Sequence, residues 1–100
     1  MLNKYERHKE ICERLNKIYT DKNTAYNDSF GKTFKELGIM SAVTRMYDKF
    51  NRLSALAQGA QNNVKDETIE DTLIDLANYA IMTLIEIEAK ERKFPSEISL

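Results

Sequence analysis

The chain holds one cysteine, one histidine, one proline and three glycines in 100 residues, and each scarcity closes off a class of explanation. A single cysteine, Cys12, excludes an internal disulfide and fits a reducing cytoplasm. With one His and one Cys on the same stripe, no Ser–His–Asp or Cys–His catalytic arrangement can be assembled. No excess of charge of one sign exists either: 15 basic against 16 acidic residues give a net charge of −1. That leaves no basic footprint, so duplex nucleic acid is not expected as a partner. Alternation with period two is absent, which excludes a sheet. The longest apolar run, 73–87, is interrupted by Asp75, Asn78 and Glu86 and is shorter than the roughly 20 residues a membrane span needs. The N-terminal MLNKYERHKE is too charged for a secretion signal. What remains is one all-α domain over residues 1–100, with 42% hydrophobic and 31% charged residues, the balance of a globular fold with wet helix faces.

The segment 66–90, DETIEDTLIDLANYAIMTLIEIEAK, organises the rest. It lacks Gly and Pro and predicts one long helix with Asp66 as N-cap. Glu67, Glu70 and Asp71 place negative charge where the helix dipole favours it. From Leu73 to Ile87 almost no polar face is left, so this helix is expected to be buried on most sides. At about 100° per residue, Glu67, Asp71, Asp75 and Asn78 fall within a sector of roughly 80°. Asp75 and Asn78 therefore lie inside the apolar run. A buried carboxylate without partners costs several kcal/mol, so cations, a metal or donors from another segment should face it.

Upstream, Tyr5, His8, Ile11, Cys12, Leu15, Ile18 and Tyr19 recur at three- and four-residue spacing and predict an amphipathic first helix of about four turns. His8 and Cys12 form half a metal site with nothing to complete it, and are read as a boundary histidine and a core cysteine. Residues 21–32, DKNTAYNDSFGK, are rich in turn formers and predict a long polar loop. Tyr26 and Phe30 there admit two readings: rings that stack on a base while Asn27 and Ser29 bind its edge, or plugs at the end of a helical bundle. A short helical turn at 33–37 ends at Gly38. A second long helix follows over 39–58, closed by Gly59 and a polar turn at 58–65. Its apolar face carries Ile39, Ala42, Val43, Met46, Phe50, Leu53, Leu56 and Ala57, and Arg45, Lys49 and Arg52 form a stripe beside it. The tail 91–100, with Phe94, Pro95, Ile98 and Leu100, packs back or reaches a neighbouring subunit.

Antiparallel packing would bring Arg45, Lys49 and Arg52 within reach of Glu67, Asp71 and Asp75. One outcome is a ladder of salt bridges that needs no ligand. The other is a phosphate site, with the cations clamping phosphate and the carboxylates holding Mg²⁺ or a ribose. Three long helices cannot surround the apolar 73–87 segment, so a homo-oligomer is expected.

The runs KNTAYNDSF (22–30), GIMSAVTRMYDKFNRL (38–53) and VKDETIEDTLIDLANYAIMTLIEIE (64–88) keep a distinctive order. It reads Lys-x-x-x-Tyr, then Arg-x-x-Asp-Lys-x-x-Arg, then Asp-Glu-x-x-x-Asp-x-x-x-Asp-x-x-x-Tyr. In this the chain resembles, over about residues 15–90, the small phage and prophage proteins called nucleotide modification associated domain 1. The resemblance implies a helical protein of phage origin, working in the cytoplasm of an infected bacterial host and concerned with nucleotides. The ligand-binding set then comprises Lys22, Tyr26, Asn27, Ser29, Phe30, Arg45, Lys49, Arg52, Asp71, Asp75 and Asn78. The expected function is binding of a nucleotide or nucleotide-derived signal, cyclic forms included, so as to sequester a host immune messenger. The acidic helix also looks like that of MazG-type nucleoside triphosphate pyrophosphatases, in which case Glu67, Asp71 and Asp75 would hold Mg²⁺. Here, however, the Glu-x-x-Glu of the partner helix is absent, Asp48 being the one acidic residue there, and Glu-x-x-Asp is absent at Asp75. A third reading is a structural helical module whose charges only pair internally.

Overall fold

The computed structural model describes residues 3–59 and 68–91. Four helices follow one another: α1 (Lys4–Ala25), α2 (Ser29–Leu37), α3 (Ile39–Ala57) and α4 (Ile69–Lys90). Among the described residues there is no strand, as the missing alternation requires. Three long helices and one short one form the bundle. The turn at 60–67, with Asp66 and Glu67, and the tail at 92–100 lie outside the described residues.

The expected polar loop at 21–32 is not there. α1 runs on to Ala25, only Tyr26–Asp28 are non-helical, and α2 starts at Ser29 instead of Thr33. Turn-forming residues cost a helix only a few tenths of a kcal/mol each, and local and distant ties outweigh that here. Lys17 and Asp21 pair one turn apart at 3.1 Å, the Thr20 hydroxyl donates to Asn16 O, and Lys22 reaches Asp75 of α4. The helix stops where Asn27 and Asp28 take φ of 52° and 54°, a left-handed conformation that Asn and Asp tolerate best after Gly. A buried glycine, Gly31, leaves room for the Asp28 carboxylate over the first turn of α2, where a Cβ would come within 2.6 Å of it.

Gly38 joins α2 to α3 alone. Its φ of 78° is one that a side chain would strain, and its carbonyl accepts from both Ser41 N and Ser41 Oγ. α3 ends at Ala57 with Gln58 as its C-cap. The start of α4 also differs from expectation: the N-cap is Thr68, not Asp66. Thr68 and Asp71 form a capping box, each side chain bonding the other's backbone N–H, which occupies two otherwise orphaned donors.

α3 and α4 are antiparallel. Lys49 meets Asp75, while Ala42, further back on α3, shares a cluster with Met82 and Ile87, further on along α4. Ala42 and Thr72 are fully buried. The Thr72 and Thr83 hydroxyls donate to the carbonyls of Thr68 and Tyr79 in their own helix, so small residues sit in the interior without an unmet polar group. α2 seals one side of this pair with Phe30 and Phe34. The second half of α1 lies on the same side, where Leu15 is its one buried residue and the Asn78 amide of α4 donates to Leu15 O at 3.2 Å.

Two expectations of burial are corrected by this layering. Every residue from Asn3 to Arg14 is exposed, Cys12 and His8 included, so Cys12 is not a core residue; its sulfur lies 3.7 Å from His8 Nδ1 on an open helix face. Nor is α4 buried on most sides, since Ile69, Leu73, Ile81 and Leu84 are exposed. Among the described residues, helices cover only one flank of the α3/α4 pair. No helix among the described residues is long and apolar enough to cross a membrane.

Candidate functional site

A cleft of about 230 Å³ opens where α1, the start of α2, α3 and α4 converge, lined by Tyr19, Lys22, Tyr26, Phe30, Arg45 and Asp75 among others. The extra turn of α1 builds one wall. Ile18, Tyr19, Lys22, Asn23 and Tyr26 recur every three or four residues and line one face. Phe30, buried to 5% exposure, forms the floor and stacks on Tyr79 with ring centres 5.9 Å apart and planes 18° off parallel. Tyr26, by contrast, is two-thirds exposed at the rim. Of the two readings of these rings, Phe30 follows the plug and Tyr26 stays open to a ligand.

Arg45 of α3 lies over this aromatic floor. Its guanidinium carbon is 5.4 Å from the Phe30 ring centre and 6.0 Å from that of Tyr79. Among the described residues no carboxylate pairs with it. A guanidinium resting on rings is held by attraction to their faces, on the order of 1 kcal/mol, and keeps its N–H donors for something else.

Asp75 is arranged otherwise. Its Oδ2 accepts from Lys49 at 3.0 Å and its Oδ1 from Lys22 at 3.3 Å, with Asp75 and Lys49 each about a quarter exposed. The partners demanded by a carboxylate inside an apolar run are therefore two lysines, one from α3 and one from α1. Arg45 and Lys22 line the cleft with that one carboxylate, and Lys49 pairs with it from behind, so this wall of the cleft is electropositive.

Of the residues expected to bind ligand, the fold brings Lys22, Tyr26, Ser29, Phe30, Arg45, Asp75 and Asn78 around one cleft. Asn78 is buried and its amide N–H is engaged with Leu15 O, so it ties α4 to α1 besides lining the cavity. Lys49 acts from behind, through Asp75. Asn27 is exposed in the link, and Arg52 is half-buried one turn further along α3; neither lines the cleft. Asp71 does not face it either: its Oδ2 accepts from the N–H and hydroxyl of Thr68 in the capping box. Glu67 lies outside the described residues. Of the residues that a MazG-type magnesium set would use, Asp71 caps α4 and both Asp75 oxygens hold ammonium groups. Among the described residues no three His, Cys, Asp or Glu side chains come together as metal ligands.

Sequence reasoning missed Tyr19, Asn23 and Tyr79 as lining residues. The signal is present for Tyr79, one turn after Asp75, although its place inside the apolar 73–87 run reads equally as core. Tyr19 and Asn23 become visible only once α1 is carried through Lys22, since 19, 22, 23 and 26 then share a face.

Behind Phe30, a second group of titratable side chains meets: Tyr19, Asp28 and Glu86. Burial, then the charge of Asp28, raises the Glu86 carboxyl above its ordinary range, with Lys35 pulling the other way. Burial, then Asp28 and Glu86, likewise raises the Tyr19 hydroxyl.

These features define an all-α domain with an electropositive, ring-lined cleft between its helices. The chain belongs to the nucleotide modification associated domain 1 family, whose model matches residues 22–87, a span that runs from Lys22 to Ile87 and so includes every wall of the cleft beyond Ile18 and Tyr19. No curated protein and no solved structure matches it significantly.

Proposed function

We propose that the cleft binds a nucleotide or nucleotide-derived molecule through its phosphate and one base. The observation that carries this is Arg45, poised over Phe30 and Tyr79 with no carboxylate partner among the described residues. In a salt-bridge ladder it would be neutralised as Lys49 is. Its planar fork suits phosphate oxygens. Lys22, more than half exposed, swings from Asp75 to a second oxygen at little cost, because Lys49 keeps Asp75 neutralised. Tyr26 at the rim offers a flat face for a base, and Ser29 and the Asn78 carbonyl oxygen offer edge contacts. A cavity of about 230 Å³ is below the 300–1,000 Å³ usual for ligand pockets. It therefore takes one nucleoside phosphate unit, with the rest of a larger or cyclic ligand extending outside.

Such a protein holds its ligand intact, which fits sequestration of a host signalling nucleotide by a phage. The test is to incubate it with a panel of nucleoside phosphates and cyclic oligonucleotides with Mg²⁺, then heat-denature and chromatograph. Intact ligand released on heating is the expected result. Phosphate or pyrophosphate would point to the pyrophosphatase instead, and no retention at all to a structural module.

A further inference from the structure

The α3/α4 pair has two flanks, and among the described residues helices cover only one. On α3 the buried line runs through Ala42, Met46 and Leu53. Arg45 and Arg52 lie to one side of it, and Ile39, Val43, Tyr47 and Phe50, with Met40 at the edge, lie to the other. On α4 the buried line runs through Thr72, Tyr79 and Thr83, with Asp75 and Met82 on the cleft side and Ile69, Leu73, Ala80 and Leu84 opposite. Because the helices are antiparallel and Lys49–Asp75 fixes which sides meet at the cleft, the two apolar flanks fall together on the far side. There Met40 is 63% exposed, Tyr47 62%, Phe50 56% and Leu84 58%.

We infer that this far face of α3 and α4 is a self-association surface, closed by the same face of a second copy of the chain. Three observations choose that occupant. The first is size. Eight large apolar side chains, Ile39, Met40, Val43, Tyr47, Phe50, Ile69, Leu73 and Leu84, are each 38–63% exposed, so they leave on the order of 800 Å² bare, about what each partner gives to a standard interface and more than a monomer ordinarily shows. The second is charge. Neither stripe contains a Lys or Arg, and the charged residues along the outer edge of the α4 stripe, Glu70 and Glu88, are acidic. Docking on an anionic lipid surface or nucleic acid needs the opposite sign. The third is architecture. A helix pair covered on one flank is half of a two-layer core, and an isologous contact between two antiparallel pairs supplies the missing layer with no new element. Tyr47 and Phe50 then sit mid-face as aromatic anchors. This inference does not rest on the ligand reading, since the cleft opens on the opposite flank.

Light scattering of the full chain at micromolar concentration should give twice the protomer's 11.6 kDa, and the melting temperature should rise with protein concentration, as it does when association stabilises the folded state. Tyr47→Lys and Leu84→Lys replace residues already exposed in the protomer, so they leave its helices free to form. Each should weaken association by on the order of a thousandfold, because an anchor worth about thirtyfold is lost twice in an isologous contact. Ile11→Lys on the open stripe of α1 should leave the mass unchanged. The inference is overturned by a monomer with a concentration-independent melting temperature. It is equally overturned by an oligomer that Ile11→Lys dissociates and Tyr47→Lys does not. A monomer in which removing residues 92–100 speeds amide exchange along the outer stripe would show that the chain covers the face itself, and would also overturn it.

Discussion

The two flanks of the α3/α4 pair are built from the same helices and differ in almost every physical respect. On the cleft side Phe30 and Phe34 cover the apolar surface, Lys22 and Lys49 hold Asp75, and Arg45 lies over two rings. On the far side the apolar residues are as large and as regularly spaced, yet among the described residues eight of them stay 38–63% exposed. A hydrophobic period reports that a face avoids water, and says nothing about whose surface covers it. Polar residues carry the discriminating information. Arg45, Lys49, Asp75 and Asn78 interrupt the apolar pattern on the flank that needs specific partners, and no comparable interruption marks the other.

The sharpest way to break this contrast is to remove the floor of the cleft. Phe30 is buried against Tyr79, Phe34 and Ala42, so Phe30→Ala should cost about 3–5 kcal/mol, the usual cost of deleting a buried aromatic ring. Urea unfolding should show the midpoint collapsing. If it barely moves, Phe30 is not part of the core, and the distinction between a filled flank and an open one fails.

Next in size is a loss of binding without a loss of fold. Arg45→Ala removes a charge-assisted contact to phosphate worth roughly 1.5–3 kcal/mol, about 10- to 150-fold in affinity, while giving up only the ring contact in stability. Isothermal titration with the retained nucleotide and a melting curve without it separate the two effects. In a purely structural charge network the order reverses: Arg45→Ala melts early and no nucleotide raises the wild-type melting temperature.

Asp75→Ala should act on stability more than Arg45→Ala does. It leaves Lys49, about a quarter exposed, without its Asp75 partner and frees Lys22, at a cost of about 1–2 kcal/mol. That is less than full burial would exact, since water still reaches both side chains. A chemical denaturation curve checks it, and Asp75→Asn, which keeps the shape and two hydrogen-bonding atoms, should recover part of the loss.

Much of this was legible in the residues themselves. The all-α fold, the antiparallel approach of the cationic stripe to Asp75, the Gly38 junction and the need of Asp75 for cations all follow from spacing and from the cost of burying charge. Three features did not. Asp21, Lys22, Asn23 and Thr24 read as loop because their intrinsic preference is for turns, whereas the local Lys17–Asp21 pair and the Lys22–Asp75 contact from α4, far along the chain, tie this turn into the helix. Asp71 reads as a ligand because its spacing to Asp75 is right, whereas Thr68, three residues before it, is the sign of the capping box that engages it. Burial of α4 was overestimated because an apolar stripe looks alike whether its cover is intramolecular or not.

The smallest expected effect lies at the back of the cleft, where Glu86 faces Asp28 and Tyr19 on one side and Lys35 on the other. Burial and the Asp28 charge raise its carboxyl above the ordinary value of 4.5. The folded state therefore holds the proton at pH values where the unfolded chain has released it, and above both values folding bears the cost of an ionised Glu86 beside Asp28. The contribution of Glu86 is thus unfavourable at neutral pH, shrinks as pH falls through the folded value, and vanishes below 4.5. Glu86→Gln keeps the shape and removes the charge. Because the side chain is only partly buried, screening limits the gain to about 1–3 °C in melting temperature near neutral pH. The gain should fade as the pH is lowered toward that of an ordinary carboxyl. A gain that stays constant across that window would mean that packing, and not ionisation, distinguishes the variant, and Asp28 would then not bear on Glu86. Tyr19 carries the same sign at the alkaline end: its raised hydroxyl keeps its proton longer when folded, so stability should fall as the pH climbs past 10, the ordinary value for tyrosine. Tyr19→Phe should blunt that alkaline fall while leaving the acidic limb to Glu86, which divides the two groups by pH alone.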